Sequence, residues 1–179
     1  MGGDVEGYFY LTGRKKELII RSDHNIDPAI IEEALHGHPD ILLAAAIGRP
    51  DAYAGEVPVA YVQLKADSVV QKDELMAHAR AHISEYAAIP KAIRIASAIP
   101  LTAVGKIYKP ALKQREIEDA LAEVLCTAKL PFVSLKVLQD AKLGILVELA
   151  LAEPAYQQMA QQLLGQYPFQ FRITLGSCA

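Results

Sequence analysis

Apolar residues recur along this chain at two periods, and the period assigns the elements. In "VPVAYVQLK", Val59, Tyr61 and Gln63 alternate with Ala60, Val62 and Leu64. That two-residue repeat belongs to a strand. "KAIRIASAIP" reads as a further strand, and "ILLAAAIGRP" as a buried-strand candidate whose alanines leave it ambiguous. "KDELMAHARAHIS" instead spaces Leu75, Ala79 and Ile83 four apart, with Asp73 and Glu74 in the first turn, where a helix favours negative charge. "NIDPAIIEEALHGHP" carries a complete helix grammar. Asp27 is an N-cap, Pro28 suits the first helical position, and Ile31, Ala34 and Leu35 form the stripe. Gly37 and Pro39 stop it. Upstream, "GYFYLTGRKKELIIR" suggests two short strands, Tyr8–Leu11 and Leu18–Arg21, around a turn holding Gly13.

A helix is expected from about Ala111 to Cys126, and the pattern changes after Lys129. "FVSLKVLQDAKLGILVELAL" reads as a hairpin turning at Asp140–Gly144. "EPAYQQMAQQLLGQYP" reads as a helix with Ala155, Met159 and Leu163 on one face. In "FQFRITL", Phe169, Phe171, Ile173 and Leu175 face one way, and Gln170, Arg172 and Thr174 the other. The expected fold class is α+β: a small hairpin, then a short mixed sheet with packed helices, then a C-terminal αββαβ extension. The apolar sheet face of that extension needs a partner layer. The expected domains are residues 1–115 and 116–179.

Composition narrows the function classes. The 179 residues are 52% hydrophobic and 22% charged, which suits a packed core and not a disordered chain. A net charge of −3 argues against a dedicated nucleic-acid binder. The apolar run "GILVELALA" is short and carries Glu148, so no membrane span is expected. The opening residues, with Asp4 and Glu6, do not read as a secretory signal. Two distant cysteines, Cys126 and Cys178, make a disulfide scaffold or zinc site improbable, and a reducing cytoplasm is the default location. Cys126 is read as helix packing and Cys178 as a tail thiol.

The histidines do not assemble a known constellation. His78 and His82 are spaced i,i+4, but no third ligand is apparent and no Glu follows His78. A helix flank is the favoured reading, and no metal site is expected. His36 and His38 lie beside Gly37, where capping of the helix end is favoured over ligation. No G-x-S-x-G elbow and no G-x-x-x-x-G-K phosphate loop is present.

Two basic clusters remain, "GRKKELIIR" and "GKIYK". Each alone is most simply a solvated turn. With their surroundings, "GYFYLTGRKKELIIRSDHNIDPAIIEEAL" and "PLTAVGKIYKPAL", they resemble the hinge and lysine motifs of the C-terminal domain of the adenylate-forming enzymes. That family includes acyl-CoA synthetases, luciferases and peptide-synthetase adenylation domains. "HPDILLAAAIGRPDAYAGEVPVAYVQLK" is similar to the fatty acyl-CoA synthetase branch. The resemblance runs from about Asp4 to Gln114 and leaves the tail outside.

The resemblance implies a mobile lid. In the family, ATP with Mg2+ and a carboxylic acid form an acyl-adenylate, and a thiol, usually coenzyme A, takes the acyl group. A large N-terminal adenylation domain holds most of both pockets, and the lid rotates between the half-reactions. Lys106 matches the lysine that assists adenylation. Its ammonium would bridge the carboxylate and the α-phosphate and offset their repulsion. Gly105 beside it would permit a tight backbone approach. Arg14 matches the arginine that contacts nucleotide, and Asn25, in the segment after the hinge, is assigned to positioning nucleotide phosphate. Lys16 matches the hinge. Lys109 is left as charge or packing.

Ser22 and Asp23 depart from the family, which usually has two glycines there, in the segment that approaches the thiol acceptor. The departure implies an adjusted turn, a weakened thiol step or a different acceptor. The expectation is therefore the lid of an AMP-forming acyl-CoA synthetase, a ligase, whose partners are the N-terminal adenylation domain and a small carboxylic acid. The chain opens almost at the hinge, so alone it is expected to be inactive. The alternatives are a lid serving a carrier protein or stopping at the adenylate, or a binding module that forms a homodimer through the extension.

Overall fold

The computed structural model describes residues 17–140 and 144–176, together with two short strands near the start. It divides into two compact units. The first holds the described residues up to Arg49 and from Tyr53 to Lys109; the second holds Pro50–Ala52 and those from Pro110 onward. The expected boundary after residue 115 falls inside a helix, Lys109–Thr127. The mixed sheets and packed helices make the fold α+β, as expected.

In the first unit, strand β1 (Gly2–Gly3) pairs antiparallel with β2 (Phe9–Tyr10). Strand β3 (Ile19–Arg21) pairs antiparallel with β4 (His24–Ile26). Helix α1 (Pro28–His36), strands β5 (Ile41–Asp51) and β6 (Gly55–Leu64), helix α2 (Lys72–His82) and strand β7 (Ala92–Ile95) follow. The sheet runs β4-β3-β6-β5, and β7 lies parallel to β6 with Val59–Val62 opposite Ala92–Ile95.

The expected pairing of the two early β-prone runs is corrected. Phe9–Tyr10 pairs upstream with Gly2–Gly3, whereas Ile19–Arg21 turns back at once onto His24–Ile26. Local propensity located the runs, but it carries no information about which run is the partner. The intervening "TGRKK" turn lies outside the described residues.

The α1 grammar is realised atom by atom. Asp27 Oδ1 accepts from the Ala29 N–H at 3.0 Å, and Pro28 occupies the first turn. Ile31 and Leu35 are fully buried, with Ile19, Ile26, Ala44, Ala46, Ala60, Val62, Leu75 and Ala79 in the same core. Burying each such large aliphatic side chain is worth roughly 1.5–3 kcal/mol. That core fixes α1, α2 and the sheet as one support.

The second unit contains most of helix α3 (Lys109–Thr127), then β8 (Phe132–Asp140), β9 (Gly144–Leu151), a short turn at Pro154–Tyr156, α4 (Gln157–Leu164) and β10 (Gln170–Leu175). β8 and β9 form the expected hairpin, with Asp140 opposite Gly144. β10 is parallel to β9, so the sheet order is β10-β9-β8. The partner layer for its apolar face comes from within: Ile117, Leu121 and Leu125 of α3 and Ala160 and Leu164 of α4 pack with Val137, Val147, Leu149 and Leu151.

Two expectations about faces are corrected here. The inward stripe of α4 is Ala160 and Leu164, while Ala155 and Met159 are exposed. The helix proper starts at Gln157, after the turn, so the stripe is one residue out of phase with the expected one. Cys126 is exposed and does not pack, because the inward stripe of α3 runs through Leu121 and Leu125. Cys178 lies outside the described residues.

Candidate functional site

Lys106 sits on a short hairpin-like loop whose geometry is fully specified by hydrogen bonds. Leu101 and Ile107 form an antiparallel bridge. The Thr102 N–H donates to Lys106 O at 2.7 Å, and the Gly105 N–H donates to Thr102 O at 2.9 Å. The Lys106 N–H donates to Thr102 Oγ1 at 3.1 Å. This is a three-residue loop built on a β-turn and closed by a residue in the left-handed region, and Gly105 has φ +77°. Among the described residues, a side chain added at Gly105 would meet no atom within 4 Å beyond its two chain neighbours. Within this chain, then, Gly105 is needed for its backbone conformation.

Both ends of the loop are anchored. Upstream, the Ile99 N–H donates to Gln63 Oε1 on β6 at 3.1 Å. Downstream, Lys109 Nζ lies 2.8 Å from Glu32 Oε1 on α1 and 3.7 Å from Glu17 Oε2. Glu32 Oε1 also accepts from the buried Ala46 N–H on β5 at 2.8 Å. Lys109, left open between charge and packing by the sequence, is thus the tether of the loop. Its spacing from Lys106 was visible, but its partners come from another helix and could not be read. Between the anchors the loop tip is exposed, with Val104 and Lys106 in solvent. Among the described residues, the Lys106 ammonium pairs with none.

Ser22, Asp23 and Asn25 come together on the β3–β4 hairpin. Ser22 and Asp23 are its two turn residues, between paired Arg21 and His24. Ser22 has φ +54°, the left-handed conformation that glycine adopts most readily, and its N–H donates to Ala54 O at 2.7 Å. The turn therefore keeps a glycine-like path without glycine. Asp23 is almost fully exposed, 3.6 Å from His24 Nε2, and His24 Nδ1 lies 3.9 Å from Glu85. Asn25 is exposed and opposite Ile20. Arg21 holds the hairpin down by donating to Ala87 O at 2.8 Å. Arg14 and Lys16 lie outside the described residues. No described contact joins Lys106 to the hairpin.

The histidines pack with one another without forming a ligand set. His78 and His82 stack with ring centroids 4.0 Å apart, and His38 meets His78 edge-on at 5.0 Å. His78 Nε2 donates to Ala34 O at 3.0 Å, tying α2 to α1. The His36 ring donates from Nδ1 to Glu32 O and accepts the Ala44 N–H at Nε2, so it bridges α1 to β5. His38 is buried and accepts the Asp40 N–H at Nδ1. His36 is the basic residue of the last turn of α1, as the capping expectation has it, and its ring contacts tie that helix end to β5. Among the described residues, no group of three or more His, Cys, Asp or Glu side chains is arranged to hold a metal ion. No described helix is long and apolar enough to cross a membrane.

This architecture and its sequence have known counterparts. Residues 30–106 match the family model of the AMP-binding enzyme C-terminal domain. The marinolic acid–CoA ligase of Pseudoalteromonas sp. (strain SANK 73390) is 42% identical over 96% of this chain and 27% of its own length. The long-chain-fatty-acid–CoA ligase of Bacillus subtilis is 41% identical over 65% of this chain and 20% of its own length. Among solved structures, a Mycobacterium tuberculosis fatty acyl CoA synthetase superposes with a TM-score of 0.55 and 32% identity. It covers 64% of this chain and 22% of that one. The chain thus spans about a quarter of the length of the curated relatives it matches. By motif, fold and family match alike, residues 30–106 are similar to the AMP-binding enzyme C-terminal domain.

Proposed function

We propose that this chain is the lid of an AMP-forming acid–thiol ligase and that Lys106 assists formation of the acyl-adenylate. The observation that carries the reading is the Lys106 loop. It is anchored at Gln63 and Glu32, closed by Gly105, and presents an exposed ammonium with no partner among the described residues. A cation held ready in this way suits a polyanion delivered by another domain. The family match over residues 30–106 supports the same role for a lysine in this motif.

In this reading ATP, its Mg2+ and coenzyme A are held mainly by an N-terminal adenylation domain. The lid contributes Lys106, with Arg14 and Asn25 toward nucleotide. Lys16 is assigned as the hinge, and Ser22 and Asp23 line the approach of the thiol acceptor. A carboxylic acid is the substrate class. Coenzyme A is favoured over a carrier protein as acceptor, because Ser22 keeps the turn conformation that glycine would supply. Residues of the second unit lie outside this role.

The test uses a polypeptide that includes the N-terminal adenylation domain. Acid-dependent exchange of pyrophosphate into ATP, followed by thioester formation on adding coenzyme A, supports the reading. Adenylate that accumulates untouched by coenzyme A and is discharged only onto a carrier protein would replace the acceptor. Absence of acid-dependent exchange would remove the function.

A further inference from the structure

Among the described residues, helix α3 covers the β8 edge of the second unit's sheet at Val137, and no strand pairs with the β10 edge. At the β8 edge, Val137 faces away from β9, and α3 satisfies both of its backbone groups. Glu118 Oε1 accepts the Val137 N–H at 3.0 Å, and Gln114 Nε2 donates to Val137 O. The helix thereby stands in for a neighbouring strand, which is how edge strands are kept from pairing with other chains.

β10 has no such cover among the described residues. The Gly176 N–H donates to Leu151 O, so the backbone of Gly176 faces β9. Backbone groups alternate in direction along a strand. Those of Phe171, Ile173 and Leu175 therefore point outward and pair with no described strand. Their side chains lie on the apolar face, with Leu175 still 59% exposed. The charged side chain of this strand, Arg172, is matched within the sheet by Glu148.

We propose that two copies of this chain join through β10, paired antiparallel about a two-fold axis at Ile173. The occupant follows from the strand itself. In that register Ile173 faces Ile173 of the second copy, and Phe171 faces Leu175. Every outward backbone group then meets an outward backbone group, and apolar faces stay on one side. Arg172 lies opposite Thr174. A shift of the axis to Arg172 would put two guanidinium groups face to face, which disfavours that alternative. The pairing covers exposed Leu175 and turns two three-stranded sheets into one of six. It is independent of the ligase reading, since it uses only the second unit.

Sedimentation equilibrium of the 179-residue chain across the micromolar range tests this. The wild type is expected to dimerise reversibly. Thr174→Arg sets like charges opposite each other twice per dimer and should weaken association about tenfold, whereas Thr174→Glu should not weaken it. Leu175→Pro removes an outward N–H that the monomer does not use, and should abolish the dimer. Circular dichroism and thermal unfolding must match wild type for each variant to be scored, and the two Thr174 variants change only an exposed position. A monomeric wild type overturns the proposal. So does a dimer indifferent to Thr174→Arg, or one weakened equally by Thr174→Glu.

Discussion

Lys109 and Glu32 form a 2.8 Å ion pair, each about one-fifth exposed, and Glu32 uses the same oxygen to accept the N–H of buried Ala46. One carboxylate thus joins the end of the Lys106 loop, helix α1 and strand β5. The loop that presents Lys106 is positioned by the core of the first unit and not by its own contacts alone.

That junction makes Glu32 sensitive to the kind of substitution. Glu32→Ala removes the nearer of the two Lys109 partners and leaves the Ala46 N–H without its acceptor, at a cost of about 2 kcal/mol. Glu32→Gln keeps an acceptor for Ala46 and should cost about half as much or less. Urea unfolding midpoints check the ordering. Equal losses would mean that the backbone hydrogen bond contributes nothing.

Gly105 gives a second prediction. Nothing crowds its missing side chain, so Gly105→Ala is penalised through backbone conformation alone, by about 1 kcal/mol. Gly105→Asn should lose less, because asparagine tolerates the left-handed region better. Thermal unfolding of the two variants tests this. An alanine variant as stable as wild type would contradict the loop description.

Ser22 yields the opposite sign. It already occupies a left-handed conformation in a two-residue turn, so Ser22→Gly should stabilise the chain by up to about 1 kcal/mol. Ser22→Val should destabilise it, since a β-branched residue fits that region worst. Chemical denaturation of both variants reads the sign directly.

Much of this was legible in the sequence, for identifiable reasons. Elements defined by local rules were readable: Asp27 and Pro28 started α1, the spacing of Leu75 and Ala79 fixed the buried face of α2, and β6 was marked by its alternation. The turn at Asp140–Gly144 also announced itself. What failed depended on pairing that local pattern does not encode. Phe9–Tyr10 pairs with nearby Gly2–Gly3, the tether of Lys109 comes from distant Glu32, and the His36 ring reaches across to Ala44 on β5. The α4 stripe failed for a local reason, because a three-residue turn at Pro154–Tyr156 displaced the helix start. At the site, motif context singled out Lys106 and Ser22–Asp23, but the hydrogen bonds that explain Gly105 and Ser22 required coordinates.

The most direct test of the central claim separates the two half-reactions. Lys106→Ala, made in a polypeptide that also carries the N-terminal adenylation domain, should cut acid-dependent pyrophosphate exchange by at least about a hundredfold. Thioester formation from a supplied acyl-adenylate and coenzyme A should stay near wild type. Equal loss in both half-reactions, or undiminished exchange, would contradict the role assigned to Lys106.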